Sequence, residues 1–247
     1  MPSKIDRATH FYDYLAPHFA QLSNRRRAYL SAVEELIISQ IPHSSRSLLD
    51  VGAGDGARAS RIAHGAGIEN LVLLEPSPEM RKNWPPSVEH WPIPAEQLCD
   101  KQASFDVITC LWNVLGHISP AGNRAEVLRH CARLLSPEGL LFVDVNYRYN
   151  ARHYRIAPTL LRMLHDLIHP NVKNGDVTVR WNLEGSRYTT KGHVFTQREF
   201  RRMATSAGLT IVKQFTVDYD TGKLCRQQFT GNPLYVLRRA DNASPNA

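Results

Sequence analysis

Leu48-Leu49-Asp50-Val51-Gly52-Ala53-Gly54-Asp55-Gly56 is the stretch on which the fold turns. An apolar run enters it, three glycines at alternate positions interrupt it, and a helix-like run from Ala57 to Ala66 leaves it. Glycines between a strand and a helix let the backbone turn sharply and let a ligand approach the main chain. Ser47 to Val51 therefore reads as a short buried strand. Gly52-x-Gly54-x-x-Ala57 also satisfies the fingerprint of a dinucleotide-binding turn, which alone does not select a cofactor. The acids select it. A pyrophosphate at a helix N-terminus disfavours fixed carboxylates beside it, yet Asp50 and Asp55 bracket this turn. A cationic ligand without phosphates suits them better. Glu75 ends the next apolar run about twenty residues on, where a carboxylate can take both hydroxyls of a ribose.

Outward from the turn, buried runs alternate with helical ones. Asn70 to Glu75, Val88 to Trp91 and Phe105 to Cys110 read as further strands. Ala125, Leu128, Cys131, Ala132 and Leu135 mark a helix face. Ser136-Pro137-Glu138-Gly139 reads as a turn, and Leu140 to Val145 as a fifth strand. Buried strands separated by helices imply a parallel sheet covered on both faces. Before the first strand, Leu22, Arg26, Tyr29, Leu30, Val33, Leu36 and Ile37 recur at helical spacing, predicting one helix that stops ahead of Pro42. After the fifth, alternation gives way to a helix over Thr159 to His169. A half-buried hairpin follows, from Val177 through a turn at Glu184-Gly185-Ser186 to Val194. Thr196-Gln197-Arg198-Glu199 is a capping box and Gly208 a helix stop. Leu209 to Asp218 and Leu234 to Leu237 close the chain as two strands. The expected architecture from these runs is α/β: a seven-stranded, mostly parallel sheet closed by two C-terminal strands, with a small helix/hairpin cover inserted after strand five. Residues 1–240 are expected to form one domain, with 147–194 as the cover and 241–247 as a disordered tail.

The composition narrows the function. No window approaches the roughly 18 apolar residues of a membrane span, so no membrane partner is expected. No secretory h-region follows Met1 to Arg7. Cys99, Cys110, Cys131 and Cys225 are scattered, which implies a reduced, cytoplasmic protein without structural zinc. His165 and His169 share a helix face, but no third ligand accompanies them and no metal is expected. The net charge of +7 points to an anionic partner, either a small acidic substrate or RNA. The basic pairs are spread along the chain with no aromatic-rich RNA motif, so nucleic acid is the weaker choice.

The segment around Gly52 resembles motif I of the class I S-adenosylmethionine-dependent methyltransferases. Other segments are similar to that family too. Tyr12-Asp13-x-x-Ala16 resembles its N-terminal Y-D-x-x-A, and Glu75-Pro76-Ser77-Pro78-Glu79-Met80 its E/D-x-S-x-x-M. Pro94-Ala95-Glu96-Gln97-Leu98 resembles D-A-E-x-L, and Leu135-Ser136-Pro137-Glu138-Gly139 resembles L-x-P-G-G. The resemblance implies a Rossmann-like sheet whose C-terminal hairpin is antiparallel, and S-adenosylmethionine as cofactor. It implies a cofactor site made by Tyr12, Asp50, Gly52, Ala53, Gly54, Glu75, Pro76, Met80, Ala95, Glu96 and Leu111. Pro94 stands where many members carry an aspartate for the adenine amino group. Arg26 falls on the apolar stripe of the N-terminal helix, where a charge needs a partner; the cofactor carboxylate and a structural salt bridge are both open.

In this architecture the reacting end of the cofactor lies beyond strand four. That places Trp112, Asn113 and His117 there. Asn113-Val114-Leu115-Gly116-His117 is similar to small-molecule members, including sugar-amine N-methyltransferases. It lacks the N/D-P-P-Y/F of enzymes acting on nucleobase amines. His117 and Asn113 are the catalytic candidates, with His117 either a base or a packing residue. Trp112, Tyr147 and Tyr149 are the substrate-binding candidates. Arg148, Arg152 and Arg187 are secondary candidates for an anionic substrate. The expected reaction is methyl transfer to an N or O atom of a small molecule. An RNA (tRNA) methyltransferase and an inactive cofactor-binding partner protein are the alternatives.

Overall fold

A computed structural model describes residues 7–183 and 186–240. The expected tail and the residues Glu184-Gly185 of the hairpin turn lie outside them. Five parallel strands carry the sheet: β1 (Ser47–Val51), β2 (Asn70–Leu74), β3 (Glu89–Trp91), β4 (Phe105–Cys110) and β5 (Leu135–Asp144). A separate antiparallel hairpin joins β6 (Asp176–Leu183) to β7 (Ser186–His193). The last strands, β8 (Leu209–Val217) and β9 (Asn232–Arg239), add antiparallel to β5. The order is β3-β2-β1-β4-β5-β9-β8. It is the mostly parallel, seven-stranded sheet with a terminal hairpin that the alternation of runs implied. β1 pairs with β2 on one side and β4 on the other. The strand order therefore reverses at β1, and a crevice opens beyond the carboxyl ends of β1 and β4, where such sheets bind ligands.

The strands are apolar because both faces are covered. Leu48 and Leu49 are both fully buried, and successive residues of a strand point to opposite faces. On one face Leu49, Val51, Val72, Ile108 and Leu141 meet Leu128 of helix α5 (Ala121–Leu134) and Phe200 of α8 (Gln197–Ser206). On the other, Leu48, Leu73, Val107 and Phe142 meet Ile37 of α2 (Arg27–Gln40) and Ile62 of α3 (Ala57–Ala66). α8 opens on the expected capping box: Glu199 N–H donates to Thr196 Oγ1 and Thr196 N–H to Glu199 Oε2. Gly208 follows the helix at φ +74°.

Three expectations are corrected. The helix read across Leu22 to Ile37 is two helices, α1 (Arg7–Arg25) and α2, broken at Arg26 with φ −112° and ψ 15°. The break lets each helix bury a different face. α2 packs on the sheet, whereas α1 forms its own cluster with Phe11 and Leu15. The turn read at Ser136–Gly139 belongs to β5. Phe105 pairs with Leu135 but Val107 with Leu140, so the extra residues are absorbed as an irregularity in the ladder. The cover carries two helices rather than one: α6 (Ala151–Tyr154) and α7 (Ile156–Ile168), separated by Arg155 at φ +69°. A four-residue helix, α4 (Val114–His117), completes the set.

Candidate active site

The glycine turn after β1 is held by the neighbouring strand. Gly52 and Ala53 N–H both donate to the Leu74 carbonyl, at 2.8 and 2.9 Å. Gly52 has φ +74°, and a Cβ there would stand 2.6 Å from Val114 Cγ2, so both backbone and space require glycine. Gly54 N–H donates to Glu75 Oε2 at 3.1 Å, and Ser77 N–H to Glu75 Oε1 at 2.9 Å. Two main-chain donors thus fix the carboxylate at the end of β2. Burial is the larger influence on its ionisation. It pushes the Glu75 pKa up to about 7 against those hydrogen bonds. Ser77 Oγ donates to Asp13 Oδ1 at 2.5 Å, which ties the Tyr12-Asp13 motif of α1 to the Glu75 loop.

These elements wall a cavity of about 1060 Å³ beyond the strand ends. Tyr12, Arg26, Gly52, Ala53, Gly54, Glu75, Pro76, Met80, Ala95, Glu96, Leu111, Trp112, Asn113 and His117 all line it. The roof comes from the cover, through Tyr154, Arg162, Val177, Val179, Gly192 and Val194. Fourteen sequence-predicted residues from six separate segments therefore meet at one hollow. Three do not. Asp50 lies beneath the floor, 1% exposed; Thr109 Oγ1 donates to its Oδ1 at 2.6 Å. Tyr147 is buried against Tyr149 and Phe229. Tyr149 hydroxyl donates to Asp166 Oδ2 at 2.6 Å. Both tyrosines thus anchor the cover from outside the hollow. Arg148 grips the same Asp166 through Nε and Nη2, at 2.5 and 2.7 Å. Arg152 pairs with Asp218 at 2.9 Å. These two arginines serve internal carboxylates, and the Arg187 side chain lies outside the described set.

The loop after β4 is the most constrained part. Trp112 and Asn113 both have φ +60°, a left-handed conformation that costs non-glycine residues and persists only when the surroundings impose it. Asp144, at the end of β5, imposes it. Its Oδ1 accepts from Trp112 N–H, and from Asn113 N–H at 3.4 Å, while Oδ2 accepts from the buried Tyr29 hydroxyl at 2.6 Å. The Asn113 side chain is engaged as well. Its Oδ1 accepts from Asn146 N–H at 3.0 Å, and its Nδ2 donates to the His193 carbonyl at 3.2 Å. Asn113 therefore pins the loop to strand five and to the hairpin, a positioning geometry. Asp144 and Tyr29 were not identified from the sequence. Asp144 reads as an ordinary strand residue, and Tyr29 lies 115 positions away.

His117 sits at the end of α4 with its ring edge-on to Tyr12, centroids 5.7 Å apart. One ring nitrogen bonds the Lys191 carbonyl of the hairpin. Nδ1 is sealed from water with no hydrogen-bond partner among the described residues, so its lone pair is unspent. Burial holds the imidazole pKa below the usual 6.5, the Lys191 carbonyl opposing. The ring is neutral at pH 7 and able to take a proton. Near the turn Arg25, Arg26, Arg58 and Arg61 line the hollow. Arg26 pairs with Asp220 and lies 4.3 Å over the Tyr219 ring. Arg58, on the first turn of α3, leaves a buried Nε unpartnered among the described residues. Arg58 also escaped the sequence reading, since nothing in its local pattern departs from a solvated helix residue.

The donor set fits S-adenosylmethionine. Glu75 offers a fixed, buried carboxylate to ribose hydroxyls. Gly54, at φ +59°, keeps the main chain bare there: a Cβ would crowd Met80 Cε at 3.1 Å and Phe19 Cζ at 3.3 Å. Asp50 keeps an unpartnered buried oxygen under the turn, and Arg58, with its unpartnered Nε, supplies positive charge for a carboxylate.

Residues 22–214 match the family described as methyltransferase domain. The chain is 30% identical over 105 residues to a ubiquinone biosynthesis O-methyltransferase of Neisseria meningitidis, covering 39% of this chain and 42% of that one. It is 32% identical over 114 residues to a dTDP-4-amino-2,3,4,6-tetradeoxy-D-glucose N,N-dimethyltransferase of Saccharopolyspora spinosa, covering 45% of each. The match thus spans less than half the length of these curated relatives. The fold is shared with an S-adenosylmethionine-bound amino pentose methyltransferase of calicheamicin biosynthesis from Micromonospora echinaspora. That comparison has a TM-score of 0.62 and 16% identity, over 90% of this chain and 96% of that one. With the family match extending over most of its length and the seven-stranded fold in place, the chain belongs to the methyltransferase-domain family.

Proposed function

We propose that the chain transfers a methyl group from S-adenosylmethionine to a nitrogen or oxygen of a small molecule enclosed beneath the 147–194 cover. The observation that carries this reading is the roofed hollow of about 1060 Å³ running from Glu75 to His117. A volume of that order suits a cofactor with a small acceptor. When bound, the cofactor supplies a methyl group on a sulfonium that is already a good leaving group. The protein's part is alignment, exclusion of water and removal of one proton. Glu75 and the glycine turn hold the nucleoside end. Asp144 and Asn113 hold the loop that faces the acceptor. His117, which lines the hollow with Nδ1 unpaired, accepts the proton of the nucleophile once the acceptor displaces the side chains that cover that nitrogen, and the Lys191 carbonyl fixes the tautomer that leaves Nδ1 free. Relatives acting on an oxygen and on a sugar amine both fit this scheme.

Calorimetry tests the cofactor. S-adenosylmethionine should bind without added metal, and Glu75→Ala should weaken it by about 1.5–3 kcal/mol, the range for hydrogen bonds to a charged group. Binding of NAD with no binding of S-adenosylmethionine would end the proposal. The affinity should also depend on pH. Ribose hydroxyls donate to the ionised Glu75, whose pKa is about 7 in the free protein. Binding therefore releases a proton near neutrality and weakens as pH falls below 7. Titrations at pH 6 and 8 in buffers of different ionisation enthalpy measure that release. A flat profile would show that Glu75 meets the cofactor in its protonated form or not at all.

The net charge of +7 favours RNA as a second acceptor class. Binding that rests on phosphate neutralisation falls steeply with salt. Filter binding with tRNA should show weak affinity lost at physiological salt. Tight, structure-selective tRNA binding under those conditions would promote RNA over the small molecule.

A further inference from the structure

Helix α7 presents an apolar face that the described fold leaves bare. Ile156, Leu160, Leu161, Leu164, Leu167 and Ile168 are between 55% and 80% exposed. Their spacing places them on one broad stripe of the helix. Thr159 is the one buried residue of its thirteen. Monomeric proteins seldom expose contiguous apolar patches beyond a few hundred Å² without a binding role. The charges around the stripe have one sign. Arg155 precedes the helix and Lys173 follows it, while Arg162 lies on the side turned away from the stripe. The acid of the helix, Asp166, is engaged on the inner side by Arg148, Tyr149 and Asn174. Arg162, stacked 4.4 Å over Tyr154, lines the hollow together with that tyrosine, so the inner side of α7 helps roof it.

We propose that α7 docks the protein on an anionic lipid surface. No helix of the described residues is long and apolar enough to cross a membrane. An amphipathic helix with aliphatic residues on one side and cations at its ends instead lies in the plane of the headgroups. Charge decides between occupants. Arg155 and Lys173 put like charge at both ends of the stripe, so antiparallel pairing of two α7 helices sets cation against cation. Anionic headgroups neutralise both ends. Docked this way, the cover that roofs the hollow lies against the lipid boundary.

Vesicle flotation tests the docking. Wild-type protein should float with vesicles of phosphatidylcholine plus phosphatidylglycerol and remain largely free with phosphatidylcholine alone. Leu161→Ser combined with Leu167→Ser removes two exposed side chains and should lower partitioning by about tenfold or more, with an unchanged thermal melt. Arg155→Gln with Lys173→Gln should lower it on anionic vesicles only. S-adenosylmethionine affinity, measured on the same variants, should not move, which separates this proposal from the catalytic one. Absence of wild-type binding to anionic vesicles would overturn the proposal. So would a dimer in light scattering that the leucine variants dissociate, since the stripe would then be a protein interface.

Discussion

Replacing His117 with alanine should lower turnover by about 10²–10⁴-fold, the usual cost of losing a positioned acid–base group, while leaving S-adenosylmethionine affinity nearly unchanged. The expectation rests on the sealed, unpartnered Nδ1 and on a ring kept neutral by burial. The pH profile adds a sign. A base acts in its neutral form, and the His117 pKa lies below 6.5. Activity should therefore persist as pH drops to 6.5 and fall only at lower values. His117→Ala should abolish that acid limb. A packing histidine behaves differently. Its removal would free the Lys191 carbonyl, lower the melting temperature and weaken cofactor and acceptor together. Turnover, calorimetry and a thermal melt on the same variant separate the two. Unchanged turnover with unchanged stability would place the chemistry away from this loop.

Asp144→Ala should be the most damaging change outside the hollow's lining. It strips a buried acceptor from Trp112 N–H, Asn113 N–H and the Tyr29 hydroxyl. Unmet buried donors cost about 1–3 kcal/mol each, so a total loss of about 3 kcal/mol or more follows. In a chain of this size that lowers Tm by roughly 6–12 °C. The left-handed backbone at Trp112 and Asn113 then loses its restraint, and the loop carrying His117 shifts. Turnover should fall in protein that remains folded below its new Tm. Tyr29→Phe removes a single donor and should cost about 1.5–3 kcal/mol, the range for a hydrogen bond to a charged group. Circular dichroism melts of both variants measure the difference. An Asp144→Ala melt no lower than that of Tyr29→Phe would show that the loop holds its conformation without the carboxylate.

Much of the fold was legible because it is written locally. Parallel strands covered on both faces must be apolar along their length, so Ser47–Val51 and Phe105–Cys110 could be read directly. The glycine turn needs φ > 0 at Gly52, and that requirement is visible in the residue itself. The capping box at Thr196 and Glu199 spans three residues. The corrections share one feature: each depends on what the chain packs against. Nothing in Leu22 to Ile37 shows that α1 leaves the sheet face at Arg26. The turn residues of Ser136–Gly139 fall within β5 only because β4 pairs with the residues on either side of them, Leu135 and Leu140. Tyr147 and Tyr149 follow the correct strand, but Asp166 and Phe229 draw their side chains away from the hollow.

The sequence by itself determined the sheet, the turn and the acid at Glu75, because period, glycine and charge placement act over a few residues. It also singled out fourteen dispersed residues that line one hollow at the end of that sheet. Only the tertiary structure decided what those side chains are free to do. Asn113 is spent on Asn146 and His193, Arg148 on Asp166 and Arg26 on Asp220, whereas His117 keeps an unpaired nitrogen. A hydrogen bond between residues 33 or 80 positions apart has no signature in local pattern. It arises where separate elements dock, and burial there leaves a polar atom either satisfied or available for chemistry.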